Sequence, residues 1–271
     1  MLPDKFLQNL ASDIKTSDFD RILPTTFRVN TLKSDFETIK SKLDFEYTVQ
    51  DGAFITNHPL RQIQEMDIYK NGEIYVQGLS SMIPATILNL ESCDCVLDIC
   101  SAPGSKTSQI AAMMQNTGQI IANDNSRIRI YKLEANLKKL GVTNTTIVHS
   151  SGQSLWQKYP DYFDKSLVDV PCSMEGRFSS LNPKSYKDWS PGKVKELAQL
   201  QKFLLRSAFG CTKPGGTIVY STCTINTREN EEVVEWLLEK EPGRVELVST
   251  QRINPSPIME GFFVAKLKKI S

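Results

Sequence analysis

The segment VLDICSAPGSKTSQI, residues 96–110, runs from a short apolar stretch through a turn of small residues into apolar side chains at helical spacing. That is the strand–turn–helix unit by which a Rossmann-type sheet brings backbone N–H groups and a helix amino end against a ligand. Only Gly104 is present, so the turn is not the GxGxxG fingerprint. Nor is it a phosphate-binding P-loop, because Ser105 separates Gly104 from Lys106 and Ile99 occupies the place of the earlier glycine. Nucleoside triphosphate binding is disfavoured on that ground.

Working outward, short apolar runs alternate with helix-like segments from about Cys95 onward, the pattern of βαβ units in a mostly parallel sheet. CVLDI, QIIAND, TTIVHS, SLVDV, GGTIVYS and the late GFFVAKL read as strands. SKTSQIAAMM, SRIRIYKLEANLKKL and VKELAQLQKFLLRSAF read as amphipathic helices, the last closed by a turn at Lys213–Gly216. Asn226 followed by Glu229 predicts a capping box that opens a helix through ENEEVVEWLLEK. A helix through SSMIPATILNL, interrupted or started by Pro84, leads into the sheet. Residues 1–75 mix polar strands and helices, so the expected organisation is a small α/β amino-terminal subdomain (1–75) and a Rossmann-like domain (76–271).

The second strand ends in Asp124, about twenty residues after Gly104, where a doubly wound sheet places a carboxylate for ribose hydroxyls. A helix-capping role is the competing reading. Together with the 96–110 turn it points to an adenosine-containing cofactor. Without the pyrophosphate glycines, S-adenosyl-L-methionine fits better than NAD.

The chain has 271 residues, 40% hydrophobic and 23% charged, enough for one large domain and a smaller piece. No apolar run reaches membrane-spanning length and the amino terminus lacks a secretory pattern, so a cytoplasmic protein is expected. A formal net charge of +1 argues against gripping nucleic acid by overall field, so any RNA contact must come from local patches. Candidates are Arg28, Lys33, the stretch Arg177–Lys195 and the terminal Lys266, Lys268 and Lys269. Six cysteines without a Cys-x-x-Cys pair, and only two histidines, predict reduced thiols and no metal site.

Two of the cysteines end strand-like runs: Cys172 in SLVDVPCSMEG and Cys223 in GGTIVYSTCTINTREN. An isolated cysteine of this kind is usually a small core residue. Two of them at the carboxyl edge of one sheet are placed to meet over a single substrate.

DICSAPGSKTSQIAA, IANDNSRIR, DVPCSMEG and KPGGTIVYSTCTINTRENEEVVEWL resemble the successive motifs of the RsmB/RsmF and Nop/Sun family of RNA cytosine-5 methyltransferases, most closely its RsmF-type 16S rRNA members. PTTFRVNTLK, YVQGLSSMIP and EGFFVAKL match in order, so the resemblance runs from about Pro24 to Leu267. It implies an S-adenosylmethionine-dependent methyltransferase sheet and an enzyme forming 5-methylcytosine through a covalent cysteine–cytosine adduct. Cys223 is then the nucleophile, Cys172 assists product release, Asp169 hydrogen-bonds the base, and Lys106 lies beside it. For the cofactor the resemblance implies Cys100, Ser101, Ala102, Pro103, Gly104, Ser105 and Lys106, with Asp124, Arg129, Ser151 and Asp169.

Three positions depart from the family pattern. Ser151-Gly152 replaces an Asp-Gly pair, Ser101 replaces an alanine, and Met174 replaces a glycine, which is expected to narrow the loop at the base pocket. Phe178, Tyr186 and Trp189 interleave with Arg177, Lys184 and Lys187 as a candidate RNA-stacking surface, with a core role for Trp189 as the competing reading. Ribosomal RNA is the expected substrate class, acted on by a monomer. Transfer RNA, DNA, and a noncatalytic RNA-binding or assembly role are the alternatives.

Overall fold

A computed structural model describes residues 2–271 and places two sheets in the chain. The larger has seven strands: β5 (Cys95–Asp98), β6 (Gln119–Asp124), β7 (Thr145–His149), β8 (Phe163–Asp169), β9 (Thr212–Thr222), β10 (Val245–Ile253) and β11 (Phe262–Lys269), in the order β10-β11-β9-β8-β5-β6-β7. The five strands from β7 across to β9 are parallel, and β11 runs antiparallel between β9 and β10. Helices cover both faces, which is why β6 is buried from Ile120 to Asp124 rather than in alternation. From β5 the chain builds β6 and β7 on one side and then crosses back to β8 on the other. Where that reversal occurs, the loops after β5 and β8 diverge and leave a crevice at the carboxyl edge.

The smaller sheet contains β1 (Thr25–Val29), β2 (Thr48–Gln50), β3 (Ala53–Thr56) and β4 (Ile74–Val76), ordered β2-β3-β1-β4. Its core is a stack of Phe27, Phe36 and Phe54 over Ile39, Ile63 and Ile74. Two side chains from its first strand region pin it to helices that flank the larger sheet. Arg28 donates to Gln77 Oε1, the Ser105 carbonyl and Ser108 Oγ, and Asn30 donates to the carbonyls of Gly72 and Leu140. The segment before β1 packs elsewhere: Phe6 and Phe19 join Phe178 and Ile225 in a buried cluster, edged by Trp189.

Several expectations need correction. Lys213–Gly216 is not a separate turn but lies inside β9, whose pairing with β8 jumps from Phe163↔Thr212 to Lys165↔Thr217, so the extra residues bulge out of the ladder. No capping box forms at Asn226 and Glu229. Asn226 caps a 3-10 turn over Thr227–Glu229, while the long helix begins at Glu231. Phe178 is 1% exposed and so cannot stack on RNA, and Trp189 is held in the same aromatic cluster with its indole N–H donated to Glu175. Strand β10 was not anticipated, because residues 246–251 are exposed and carry no apolar alternation.

Candidate active site

Parallel pairing of β8 with β9 sets Asp169 against Ser221, and the Ser221 hydroxyl donates to Asp169 Oδ1 at 2.8 Å. Each strand then releases its loop at the same edge. Pro171 turns the first and Cys223 follows at once in the second, so that the Cys172 and Cys223 sulfurs lie 3.3 Å apart. The hydrogen bond from the Cys172 thiol lowers the pKa of Cys223, assisted by the cations of Arg177 and Lys106 and opposed by burial and Asp169. The same bond, together with burial and the charge of Glu229, pushes Cys172 well up. The pair is therefore asymmetric, with the proton favoured on Cys172 over Cys223.

Lys106, on the helix Ser105–Met113, reaches under this edge. Its ammonium donates to Asp169 Oδ2 at 2.7 Å and to Ser81 Oγ at 2.8 Å, and sits 5.7 Å from the Phe262 ring centroid. The lysine side chain is 8% exposed and the aspartate 29%. Lys106, Asp169, Cys223, Arg177, Glu260 and Phe262 all line one cavity of about 360 Å³. A planar ring entering it meets a nucleophilic sulfur, an acid–base pair and an aromatic face.

Beside that cavity lies a polar cradle. Gly104 precedes the Ser105–Met113 helix at φ +103, a conformation that only glycine adopts without strain, and a Cβ there would lie 2.9 Å from Leu133. Asp124, 2% exposed, accepts from the Ser126 and Ala102 N–H groups and lies 3.3 Å from Arg129, which also donates to the Ala102 carbonyl. Pairing of β6 with β7 aligns Asp124 with His149, so the exposed Ser151 emerges on the same edge. Burial and the surrounding carboxylates push the Cys100 thiol far up, which keeps it neutral. Asp98, which the sequence reading passed over, ends β5 beneath this loop; one oxygen accepts from Thr107 at 2.7 Å and the other has no partner. Burial pushes its pKa up to about 7. An unpartnered carboxylate oxygen, a side-chain-free helix start and a strand-end aspartate together suit a ligand with ammonium and ribose groups.

Residues 85–268 match the family model described as 16S rRNA methyltransferase RsmB/F. The chain belongs to this family. Ribosomal RNA small subunit methyltransferase F of Cronobacter sakazakii is 36% identical over 307 residues, covering 99% of this chain and 63% of the relative. The protein of that name from Escherichia coli is 36% identical over 303 residues, covering 98% and 63%. The chain thus spans less than two thirds of the length of these curated relatives. Among solved structures, a methyltransferase homolog protein from Pyrococcus horikoshii has a TM-score of 0.82 at 30% identity, covering 94% of this chain and 89% of that one.

Against the RsmB/F pattern, two of the three departures have a clear physical setting. The Ser101 hydroxyl is turned inward and donates to the Asn123 carbonyl at 2.9 Å. Met174 sits at φ +59, the left-handed region where a glycine costs nothing, and its side chain is 47% exposed. It points to solvent and does not narrow the cavity as anticipated.

Glu229 is the residue whose role in this RsmB/F site the spacing misdirected. Fully buried, it accepts from the Ser173 N–H and from Gln201 Nε2, both at 2.9 Å, and thereby anchors the Cys172 loop. Its other oxygen has no partner, and burial pushes its pKa up to about 7 from an ordinary 4.5. Between those values the unfolded chain has released this proton and the folded chain still holds it. Stability therefore falls as pH rises through that window, by up to about 1.4 kcal/mol per pH unit from this group. Glu229→Gln, which keeps the acceptor but cannot ionise, is expected to flatten that fall. Urea unfolding at about pH 5 and about pH 7.5 measures it, and a variant with the wild-type pH slope would refute the assignment. Among the described residues, no cluster of three or more His, Cys, Asp or Glu side chains is arranged to hold a metal ion, and no helix is long and apolar enough to cross a membrane.

Proposed function

We propose that this chain is an S-adenosylmethionine-dependent RNA methyltransferase that forms 5-methylcytosine in ribosomal RNA through a covalent cysteine adduct. The observation that carries this reading is the 3.3 Å approach of Cys172 and Cys223 at a cavity that also holds the Lys106–Asp169 pair. Asp98, the Cys100–Lys106 loop, Asp124 braced by Arg129, and Ser151 would hold the cofactor, with Asp169 at the end nearest the base. When bound, S-adenosylmethionine supplies an electrophilic methyl group.

The chain's own residues prepare the base. The Cys223 sulfur donates an electron pair to C6 of a cytosine, the C5–C6 double bond shifts its electrons toward C5 and the ring, and C5 becomes nucleophilic. The proton that the Cys223 thiol gives up passes to the ring nitrogen, and Asp169, bridged to Lys106, accepts a hydrogen bond from the N–H so formed and stabilises the adduct. Once C5 carries the methyl group, its proton must leave as the Cys223–C6 bond breaks and the double bond re-forms. The Cys172 thiol, within hydrogen-bond reach of the departing sulfur, gives that sulfur its proton, the Cys172 thiolate so formed takes the C5 proton, and the ring nitrogen returns its proton by way of Asp169. The target base must be unstacked, because C6 is inaccessible in a paired helix. Residues 1–75 are assigned to RNA binding, since Tyr75 at the exit of the small sheet borders the cavity where the RNA strand must enter.

Incubation with methyl-labelled S-adenosylmethionine and, in parallel, 16S rRNA, transfer RNA and a DNA oligomer tests the proposal. Label recovered as 5-methylcytosine in rRNA is the expected result. Label confined to transfer RNA or DNA would overturn the substrate class, and binding of the cofactor without transfer to any nucleic acid would overturn the activity.

A further inference from the structure

The same cavity contains a carboxylate that the mechanism leaves unused. Glu260 lies just before β11, and its side chain is only 6% exposed. Gly78 makes room for it: a Cβ at that position would lie 2.4 Å from Glu260 Oε1 and 2.5 Å from Oε2. A second close approach fixes the loop that carries it. The Gly261 N–H donates to the Gly176 carbonyl at 2.9 Å, and a Cβ on Gly176 would come within 1.9 Å of the Gly261 carbonyl oxygen. This crossing sets Glu260 beside Arg177, whose Nε is 3.8 Å from Glu260 Oε1, beyond hydrogen-bond distance. Arg21 is the other nearby cation, but its guanidinium is spent on the carbonyls of Gly176 and Ser256.

The two carboxylates of the cavity therefore differ in what they have left to offer. Asp169 already accepts from Lys106 on one oxygen and from Ser221 on the other. Among the described residues no N–H or O–H donates to the Glu260 carboxylate within hydrogen-bond distance, although it faces the space shared with Cys223 and Phe262. A largely buried carboxylate that opens on the cavity, with Arg177 at ion-pair but not hydrogen-bond distance, is set to accept from a donor on a bound ligand.

We infer that Glu260 reads the exocyclic amine of the target base and is the residue that distinguishes cytosine from uracil. The inference rests on the proposed function, and within it assigns the two edges of the base: Asp169 serves the ring nitrogen and Glu260 the 4-amino group. Uracil presents a carbonyl oxygen at that position, which would face a carboxylate with no hydrogen between them. Sites built to hydrogen-bond a substrate group discriminate against an analogue lacking it by about 10⁴ or more, because the buried partner is left unpaired.

The test uses the full chain with S-adenosylmethionine and three unstructured oligoribonucleotides that differ only in one central base: cytosine, uracil, or 2-pyrimidinone, which lacks any 4-substituent. Methyl transfer is measured as kcat/KM for wild type, Glu260→Gln and Glu260→Ala. Both variants are expected to lose tenfold or more on cytosine and to lose nothing, or to gain, on pyrimidinone, where wild type leaves Glu260 unpaired, and Glu260→Gln, whose amide can donate, is expected to narrow the cytosine-to-uracil ratio at least tenfold. Equal losses on all three bases would mean a merely structural role and overturn the inference, as would an unchanged cytosine-to-uracil ratio. Wild-type protein inactive on every base would instead bring down the reading of the site itself, so the two failures are distinguishable.

Discussion

Cys223→Ser is expected to abolish methyl transfer, and Cys172→Ser to stall the reaction with protein still bonded to RNA. A serine hydroxyl at position 223 has neither the acidity nor the polarisability to add to C6. Removing a covalent nucleophile that acts in concert with its neighbours costs on the order of 10⁴–10⁶ in turnover. The roles follow the family resemblance, and the asymmetry of the pair is in keeping with them: the Cys172 hydrogen bond lowers Cys223 and raises Cys172. Replacing Cys172 removes part of what ionises Cys223, so addition should slow, but Arg177 and Lys106 still favour the thiolate and the adduct still forms. What fails is its resolution. Denaturing gels of each variant with an RNA substrate and S-adenosylmethionine read this directly, as a band shifted by the mass of the RNA. A shifted band from the Cys223 variant, with none from the Cys172 variant, would reverse the assignment.

The second large effect is expected at Asp169→Ala. Lys106 is 8% exposed and is held by two partners, Asp169 Oδ2 at 2.7 Å and Ser81 Oγ at 2.8 Å. Deleting the carboxylate leaves a buried ammonium with one neutral hydroxyl, and breaking such a pair costs about 3–5 kcal/mol. Ser221 loses its acceptor at the same time. Activity should vanish together with stability, which alone would not separate the two roles. The double variant Asp169→Ala/Lys106→Met removes the stranded charge and is expected to recover most of the urea midpoint while methyl transfer stays undetectable. Recovery of activity along with stability would show that Asp169 only supports the fold.

Much of the site was legible because its chemistry sits where strands end. Asp124, Asp169, Cys172 and Cys223 each close an apolar run, and the order of those runs predicts which loops share an edge. What escaped the reading is governed by contacts distant along the chain. Glu229 and Asn226 have the spacing of a capping box, yet Glu229 turns inward because the Ser173 N–H and Gln201 need a buried acceptor. Phe178 and Trp189 lie among basic residues, as a stacking surface would, but Phe6, far earlier in the chain, covers them. The Lys213–Gly216 stretch has turn chemistry and nevertheless continues β9, since an extra loop on one strand of a parallel pair is accommodated as a bulge. Asp98 carried a visible signal, an acid at the end of a strand. Glu260 carried none, because its role depends on the empty space that Gly78 leaves.

The place of β11 has a consequence in time. This strand lies between β9 and β10, yet it is made after both. A chain emerging from the ribosome has both thiols and the cofactor loop well before residue 260, but β9 still lacks its neighbour and the pocket lacks Glu260 and Phe262. Completion of the pocket therefore waits on residues 260–262, which reach it only after the chain has supplied β9 and β10.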